Sequence, residues 1–486
     1  MLAFDFRLRP RLRRDWPQHV CKAFGRAITM RVPFILMLLV SAGAVPASAQ
    51  TVWPDSDPRI AALVAAVSET RLKTLVETLA GFQTRNTLSD TSSPTRGIGA
   101  ARQWIFDELK RSSPKLHVSF DTYMLAKQGR ITRDVELRNV IAILPGRSAR
   151  RIYVSAHYDT TNIGGTGQIG ANTRPPSPKP PPDVQQSPDF DHNATAPGAN
   201  DNGSGTALTM ELARVFAESD LSFDATLVFA LWAGEEQGLI GSGAHAERMS
   251  KDKVSVDADF NNDIVGNSRG GTGVIDAETV RVYSDGPEDS MSRSLARYIE
   301  RMAAIYVPSH RIRLLARQDR FGRSSDNAPF NQRGFPAVVF REANENFSKQ
   351  HLDADTIDGV DFAYLAQNVR VNLAGVASLA LAPPAPKVTN ERNQPTIGRQ
   401  PSGYDANLRW IASPGAVGYR IYWREAWSPD WQRSQRIGDV TEFVLPKVSI
   451  DDFVFGVAAI GASGHESLVS AYVSPARRDS DVKLVP

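Results

Sequence analysis

Six residues of this chain have the types and the spacing of a hydrolytic site built around two metal ions. They are His157, Asp201, Glu235, Glu236, Asp263 and His351. Imidazole and carboxylate groups are common ligands of divalent metal ions, and a carboxylate can also serve as a general base. The set therefore predicts five metal ligands and one base, each close to the end of a predicted strand.

The first motif pairs a histidine with a nearby carboxylate. His157 ends the strand-like run that starts at Arg151, and Asp159 follows two residues later. A metal-bound imidazole usually gives its second N–H to a carboxylate, which fixes the tautomer of the ring. We therefore expect His157 to be a ligand and Asp159 to support catalysis by orienting it.

The second and third motifs supply the bridging ligand and the base. Asp201 lies in the glycine-rich turn Gly198–Thr206, in front of an amphipathic stretch, and its two oxygens could bridge two cations. The apolar run from Ala225 leads into Glu235 and Glu236. Neighbouring side chains of an extended chain point in opposite directions. We expect Glu236 to be a ligand and Glu235 to be the general base.

Asp263, in Asn261-Asn-Asp263-Ile-Val-Gly266, and His351, with Asp355 nearby, complete the ligand set. One metal would be held by His157, Asp263 and the bridging Asp201. The other metal would be held by His351, Glu236 and the same Asp201. Mixed nitrogen and oxygen ligands without a thiolate fit Zn²⁺, so two Zn²⁺ ions per chain are expected, with Mn²⁺ or Co²⁺ possible in vitro. Zinc would lower the pKa of a bridging water from about 15.7 towards 7, and Glu235 would take its proton.

These motifs resemble the M28 family of zinc peptidases, in the order that the family has them. The resemblance rests on Ala-His157-Tyr-Asp159, Gly-Ala-Asn-Asp201-Asn-Gly-Ser-Gly, Ala-Gly-Glu235-Glu236-Gln-Gly-Leu-Ile-Gly-Ser and Asn-Asp263-Ile-Val-Gly. It extends to Gly81–Thr87, Thr95–Ile105 and Ser325–Ala337, and covers about residues 58 to 380. One departure is Asn327, where many members have a histidine. The resemblance implies an aminopeptidase whose substrate is a peptide with a free N-terminus.

Other functions on the same scaffold remain open at this point. A carboxypeptidase or dipeptidase would use the same metal motif, and a glutaminyl cyclase would use one zinc ion. A non-catalytic binding protein built on a peptidase fold is the alternative from another class, although intact Glu235 and intact ligands argue against it. A thiol nucleophile is excluded, because the one cysteine, Cys21, lies in a segment that we expect to be removed, and Gly203-Ser-Gly205 is not a nucleophile elbow.

The amino-terminal residues are typical of an export signal. A basic segment precedes the apolar run Val32–Val40, and Ala47-Ser-Ala49 is a small-residue cleavage site, so residues 1–49 are predicted to be a signal peptide, with Met30 as a possible true start. We therefore expect the mature protein to be secreted or exported to the periplasm. Residues 1–49 carry eight Lys and Arg and two Asp and Glu, which leaves 48 basic and 51 acidic residues. This balance gives no reason to expect nucleic acid as a partner, and no membrane span is expected in the mature chain.

The remaining pattern predicts two domains. Strand-like runs alternate with helical stretches in residues 50–381, which predicts an α/β fold with a mainly parallel central sheet flanked by helices and the site at the carboxyl ends of the strands; the resemblance implies the zinc-peptidase, phosphorylase-like type. Ile60–Leu79 is one of the predicted helical stretches. A Pro-rich insertion at 161–197 is too poor in large apolar residues to pack, and is read as a disordered surface segment or as a flap that restricts entry.

After a Pro-rich linker at 382–390, residues 391–476 read as an all-β, immunoglobulin-like sandwich, followed by a tail at 477–486. Five short alternating runs support this reading, among them Gly418–Trp423 and Phe453–Ala459. Together with Trp410, they make the segment resemble a fibronectin type III module. Such a module is expected to be a spacer or an adhesion unit with a surface or polymer ligand.

Overall fold

The computed structural model describes residues 56–164, 183–320, 323–399 and 403–473, all within one compact unit that begins at Trp53. The predicted signal peptide and the predicted tail at 477–486 lie outside these residues. Among the described residues, no helix has both the length and the apolar composition that a membrane span needs.

The catalytic domain is built on one eight-stranded mixed sheet, and four of its seven strand pairings are parallel. The spatial order is β1-β2-β4-β3-β5-β8-β6-β7. The strands are β1 His117–Leu125, β2 Val135–Leu144, β3 Arg151–His157, β4 Thr226–Trp232, β5 Val256–Asn262, β6 Thr279–Ser284, β7 Arg311–Leu315 and β8 Ala337–Glu342. The predicted α/β class is confirmed, with antiparallel strands added at both edges of the parallel centre.

Helices cover both faces of this sheet because the central strands are apolar on both sides. In β4, Leu227, Phe229 and Leu231 belong to the larger core, and Val228, Ala230 and Trp232 to a smaller core on the other face. The helices are α1 Pro58–Ala65, α2 Glu69–Gly81, α3 Gly97–Ser112, α4 Gly203–Glu218, α5 Ile240–Lys251, α6 Met291–Tyr306, α7 Asn327–Gln332 and α8 Phe362–Ala380.

The helical stretch predicted over Ile60–Leu79 is divided into two helices in the structure, α1 and α2. Ser68 has extended backbone dihedrals, and its side chain accepts a hydrogen bond from the N–H of Arg71, so it caps a new helix. Asp57 caps α1 in the same way through the N–H of Arg59.

Over residues 183–197 the Pro-rich insertion is ordered against the rest of the protein, which differs from the predicted disordered segment. Asp183 accepts a 2.6 Å hydrogen bond from Arg130 Nε, and His192 lies within hydrogen-bonding distance of Thr132 and Asn86. Polar contacts therefore hold this part against the catalytic domain, although it has few large apolar groups. Residues 165–182 of the insertion lie outside the described part of the chain.

The C-terminal module is all β and consists of two antiparallel sheets. Their orders are β13-β10-β9 and β12-β11-β14-β15. The strands are β9 Ile397–Arg399, β10 Asp405–Arg409, β11 Ala416–Glu425, β12 Arg433–Ile437, β13 Glu442–Ser449, β14 Phe453–Gly461 and β15 Ser470–Ala471. Val388, within the predicted linker, is buried in the core between these sheets. The likeness to fibronectin type III stays a prediction.

The module is docked on α6 of the catalytic domain. Arg301 donates to Tyr422 Oη at 2.6 Å and lies 3.1 Å from Glu466 Oε2, while Ser294 Oγ donates to the main-chain oxygen of Val469 at 2.8 Å. Leu468, a residue of the module, is buried in the larger catalytic core. The contact is therefore part of the folded unit and does not depend on the linker alone.

Candidate active site

The sheet brings the predicted ligands together at the carboxyl ends of its parallel strands. His157 is the last residue of β3, Asp263 directly follows β5, and Glu236 lies in the turn after β4. The register pairs Ser155 with Asn261, so His157 and Asp263 leave neighbouring strands at the same level. The predicted location of the site is therefore the observed one.

The turn that carries Asp201 is fixed to β5 by α4. Asn202 caps α4 by accepting from the N–H of Gly205 at 2.9 Å, and its Nδ2 donates to the main-chain oxygen of Asn262 at 2.8 Å. A Cβ on Gly205 would lie 2.3 Å from that same oxygen. Only glycine allows the helix start to approach the strand this closely, and this approach sets the distance between Asp201 and Asp263.

Asp201 lies between the two histidines, as a bridging ligand requires. Its Oδ1 is 3.4 Å from His157 Nε2, and its Oδ2 is 3.1 Å from His351 Nε2. Asp263 Oδ1 is 3.5 Å from His157 Nε2, and Glu236 Oε1 is 3.3 Å from His351 Nε2. The ligand atoms thus form two groups that share Asp201, and within each group they lie within 4.8 Å of one another.

The donor set fits divalent cations. Four of the five ligands are almost fully buried, whereas the side chain of His351 is 34% exposed. Glu236 Oε1 is buried and has no hydrogen-bond partner among the described residues. Burying a carboxylate oxygen without a partner is costly, and a metal ion removes that cost. The two groups could therefore hold one cation each, and the site is open at His351.

Burial and the charges within the cluster shift the pKa values of the ligand side chains. Burial would lower the pKa of His157, but the Glu235 carboxylate and the ligand carboxylates raise it well above its ordinary value. Burial would likewise lower the pKa of His351, and Glu236 and Asp201 raise it to about 9. Burial, opposed by His351 and reinforced by Asp201, raises the pKa of Glu236 to about 7. The closely spaced carboxylates thus favour the binding of positive charge, as protons or as metal ions, at this site.

Glu235, the predicted base, is half-buried beside the ligands. Burial raises its pKa well above the ordinary range, His157 opposes this shift, and Glu236 adds to it. Its N–H donates to Asp159 Oδ1 at 3.2 Å, and the N–H of Glu236 lies 3.3 Å from Asp159 Oδ2. Asp159 thus fixes the main chain of both glutamates, a role that the spacing did not predict.

Asp355 also has a different role from the one its position suggested. It does not contact His351; instead its carboxylate accepts from the N–H groups of Asn200, at 3.1 and 3.3 Å, and of Asp201, at 2.8 Å. It therefore supports the turn of the bridging ligand. His351 itself has a φ of 56°, in the left-handed region that residues other than glycine rarely adopt.

Two buried arginines that sequence reasoning did not single out hold the ligand segments. Arg85 donates to the main-chain oxygens of Tyr158, Leu79, Pro197 and Gly198 at 2.6 to 2.9 Å. It thereby joins the His157 segment to the Asp201 turn. Its position in Gly81–Thr87, which resembles a family segment, was the only available signal.

The second arginine, Arg341, pairs with Asp263 Oδ2 at 3.0 Å and with Asp319 Oδ2 at 2.9 Å. Burial would lower its pKa, but Asp263 and Asp319 raise it. Nothing in the run Ala337–Phe340, predicted as an apolar strand, indicated a buried cation at its end.

Three further histidines lie outside both metal groups. His245 contacts Asp121 and Tyr153, His310 contacts Asn368, and His465 contacts Asp57. Asn327 begins α7 directly after Asp326, whose buried carboxylate oxygens have no hydrogen-bond partner among the residues that the structure describes.

Comparison with known proteins gives the family. The model of peptidase family M28 matches residues 139–376. A probable zinc metalloprotease of Pyricularia oryzae is 35% identical over 455 residues, covering 85% of this chain and 84% of that protein. Another from Leptosphaeria maculans is 34% identical over 451 residues, covering 86% of this chain and 97% of that protein.

A solved structure shares the fold. The LapA aminopeptidase of Legionella pneumophila has a TM-score of 0.50 and 18% identity, covering 69% of this chain and 78% of that chain. Family model, zinc-metalloprotease relatives and ligand geometry agree, and this chain belongs to peptidase family M28 as a hydrolase of the zinc metalloprotease type.

Proposed function

We propose that this chain is an exported aminopeptidase that binds two zinc ions and removes residues from the N-terminus of peptides. The observation that carries the proposal is the position of Asp201, whose two oxygens face His157 and His351 at 3.4 and 3.1 Å. A carboxylate between two imidazoles, each with a further carboxylate beside it, is a donor set for two metal ions with nitrogen and oxygen ligands.

The residues of the chain divide the work of amide hydrolysis. When bound, zinc lowers the pKa of water and polarises a carbonyl oxygen. Glu235 accepts the proton of the attacking water and passes it to the leaving amine, because it is a carboxylate beside the ligands that is not itself in either metal group. Asp159 keeps Glu235 in place through its main-chain N–H.

An exopeptidase is favoured over an endopeptidase because the insertion borders the site. Arg130 donates from Nε to Asp183 and from Nη1 to the main-chain oxygen of Glu236, at 2.6 and 2.8 Å. Buried Gln237 and Gln185 also contact each other at 3.4 Å. The segment therefore lies directly against the strand-end turn that carries the base and one ligand, and it narrows the site on that side.

The test is hydrolysis of free aminoacyl amides, N-acetylated aminoacyl amides and N-acetylated dipeptides by the zinc-loaded protein, with bound zinc counted. We expect cleavage of the free-amine substrates only. Glu235→Gln should keep both zinc ions and lose at least about a hundredfold in kcat, since general base catalysis is worth this much. Cleavage of N-acetylated dipeptides at their C-terminal residue would replace the proposal with a carboxypeptidase.

Export is the second part of the proposal and has its own test. It rests on the basic segment, the apolar run Val32–Val40 and the small residues of Ala47-Ser-Ala49. Expression in a bacterium with an intact secretion pathway should give a protein in the periplasm or the medium whose N-terminus, read by mass spectrometry, is Gln50. An unprocessed chain in the cytoplasm would contradict it.

A further inference from the structure

The rim of the site beside His351 carries more arginines than the acids there can pair. His351 is the partly exposed ligand, so the ligand cluster is open to solvent on its side. Four arginines surround two carboxylates at this rim and just beneath it, apart from the ligand Asp263, and one of the four, Arg341, is buried. The arginines are Arg281, Arg320, Arg323 and Arg341, and the acids are Asp319 and Glu345.

Three of the four arginines form ion pairs with these acids. Glu345 pairs with Arg281 at 2.5 Å and with Arg323 at 2.6 Å, and it accepts a 3.2 Å hydrogen bond from Gln350, the neighbour of His351. Asp319 lies 2.9 Å from Arg341 Nε and 3.5 Å from Arg323 Nε. Both carboxylates are thus occupied.

Arg320 is the exception. Among the residues that the structure describes, no carboxylate lies within ion-pair distance of its guanidinium, although it is half-buried. Burial and the neighbouring Arg323 lower the pKa of Arg320, and the more distant Glu345 and Asp319 offset this only in part, whereas Asp263 and Asp319 raise the pKa of Arg341 against the effect of burial. A half-buried guanidinium beside other cations is a place where an anion binds favourably.

Phe347 holds this guanidinium in a defined place. The ring is 41% exposed, and its centroid lies 4.7 Å from Arg320 Cζ and 5.9 Å from Arg323 Cζ. A guanidinium stacked on an aromatic ring keeps its edge N–H groups free for a carboxylate, which the planar fork can bind at two points.

We propose that Arg320, stacked on Phe347, binds a carboxylate of the substrate close to the scissile bond. The inference rests on the proposed function and names its substrate class: short peptides whose C-terminal carboxylate lies next to the cleaved bond, or peptides with an acidic side chain there. Arg320 is a specificity-determining residue in this scheme, and hydrolysis itself remains with Glu235 and the metal ligands.

The experiment measures binding by calorimetry to the zinc-loaded Glu235→Gln protein, which leaves the peptide intact. Leucyl-leucine is compared with leucyl-leucinamide, and Leu-Glu-amide with Leu-Gln-amide, so that the two sources of carboxylate are separated. At least one carboxylate peptide should bind about ten- to hundredfold more tightly than its neutral partner, the range of a hydrogen-bonded ion pair. Adding Arg320→Gln should reduce the ratio to near one, and Arg320→Lys should keep part of it.

Arg317→Gln, on an exposed arginine of the same segment, is the matched control and should leave the ratio unchanged. Equal binding of all four peptides to the Glu235→Gln protein would overturn the inference, as would a carboxylate preference that survives Arg320→Gln. The two failures can be told apart, because this experiment measures binding. The proposed function fails if the wild-type protein cleaves no free-amine substrate, whatever the binding ratio is.

Discussion

The ring of His157 donates through Nδ1 to the main-chain oxygen of Asp159 at 3.1 Å, while the carboxylate of Asp159 lies 3.7 Å from the same nitrogen. A carbonyl oxygen only accepts, so Nδ1 carries the proton and Nε2 is free to bind metal. The carboxylate accepts instead from the N–H groups of Glu235 and Glu236 and from Thr87 Oγ1. Asp159 therefore positions the predicted ligand His157 through its main chain and the predicted base Glu235 through its side chain.

Asp159→Asn should lower kcat and zinc affinity, each by about ten- to hundredfold. The amide NH₂ would face an N–H of Glu235 or Glu236 or the Thr87 hydroxyl, so one donor would lose its acceptor. Steady-state kinetics and a zinc chelator competition measure the two effects.

Asp189→Asn, at an exposed position of the insertion, is the control and should behave as wild type. Wild-type kinetics in Asp159→Asn would show that the position of Glu235 does not depend on this carboxylate.

Arg85→Met should lower the free energy of unfolding by roughly 2 to 4 kcal/mol, because it leaves buried carbonyl oxygens of two ligand segments without their charged donor. Zinc should also bind more weakly, since the His157 segment and the Asp201 turn lose their link. Arg85→Lys should not restore either property, because an ammonium group cannot reach four oxygens with the geometry of a guanidinium.

Denaturant unfolding and zinc titration test this prediction. Lys73→Met, on the exposed face of α2, is the control for the loss of one positive charge and should change the unfolding free energy by less than about 1 kcal/mol. Unchanged zinc affinity in a folded Arg85→Met protein would disprove the proposed link between the two segments.

The sequence predicted the fold class, and it also named the residues that the structure groups at the strand ends. Four of the predicted ligands end a strand, follow a strand or precede a helix: His157, Asp201, Glu236 and Asp263. Because the carboxyl ends of parallel strands meet at one edge of a sheet, the local pattern was sufficient to predict that these residues lie together. His351 was predicted from its residue type and from Asp355 nearby in the sequence, since the loop that carries it has no periodicity.

Residues that act across long sequence separations were missed for a physical reason. Arg85 reaches Gly198, and Asp355 reaches Asp201, over more than a hundred residues. Such contacts depend on tertiary placement and leave no local spacing to read. The helix break at Ser68 had a local signal, the capping serine, but apolar periodicity on both sides concealed it.

Arg301→Met should lower the free energy of unfolding by about 1 to 2 kcal/mol, because the contact joins the C-terminal module to α6 and is only partly exposed. Arg297→Met, one turn earlier on α6, removes an ion pair with Glu288, whose side chain is 42% exposed, and should cost less than about 1 kcal/mol. Equal effects of the two substitutions, measured by denaturant unfolding, would show that Arg301 adds nothing specific to the docking.

His465 should make the stability of the docked module depend on pH. Its Nε2 lies 3.0 Å from Oδ2 of Asp57, the residue that caps α1. Burial lowers the pKa of His465, and Asp57 opposes this shift. A histidine whose pKa is lowered in the folded state binds a proton less readily there than in the unfolded chain. The free energy of unfolding should therefore fall as pH falls below about 6.5, the ordinary value for histidine.

His465→Gln tests this link because glutamine can still donate to Asp57 but does not titrate. Between about pH 7.5 and pH 5.5 the variant should lose less unfolding free energy than the wild type, since one proton-linked group has been removed. His117→Gln, at an exposed position of β1, is the matched control. A pH dependence of His465→Gln equal to that of the wild type would mean that the proton uptake on unfolding comes from other groups, and that the contact with Asp57 is not sensitive to pH in this range.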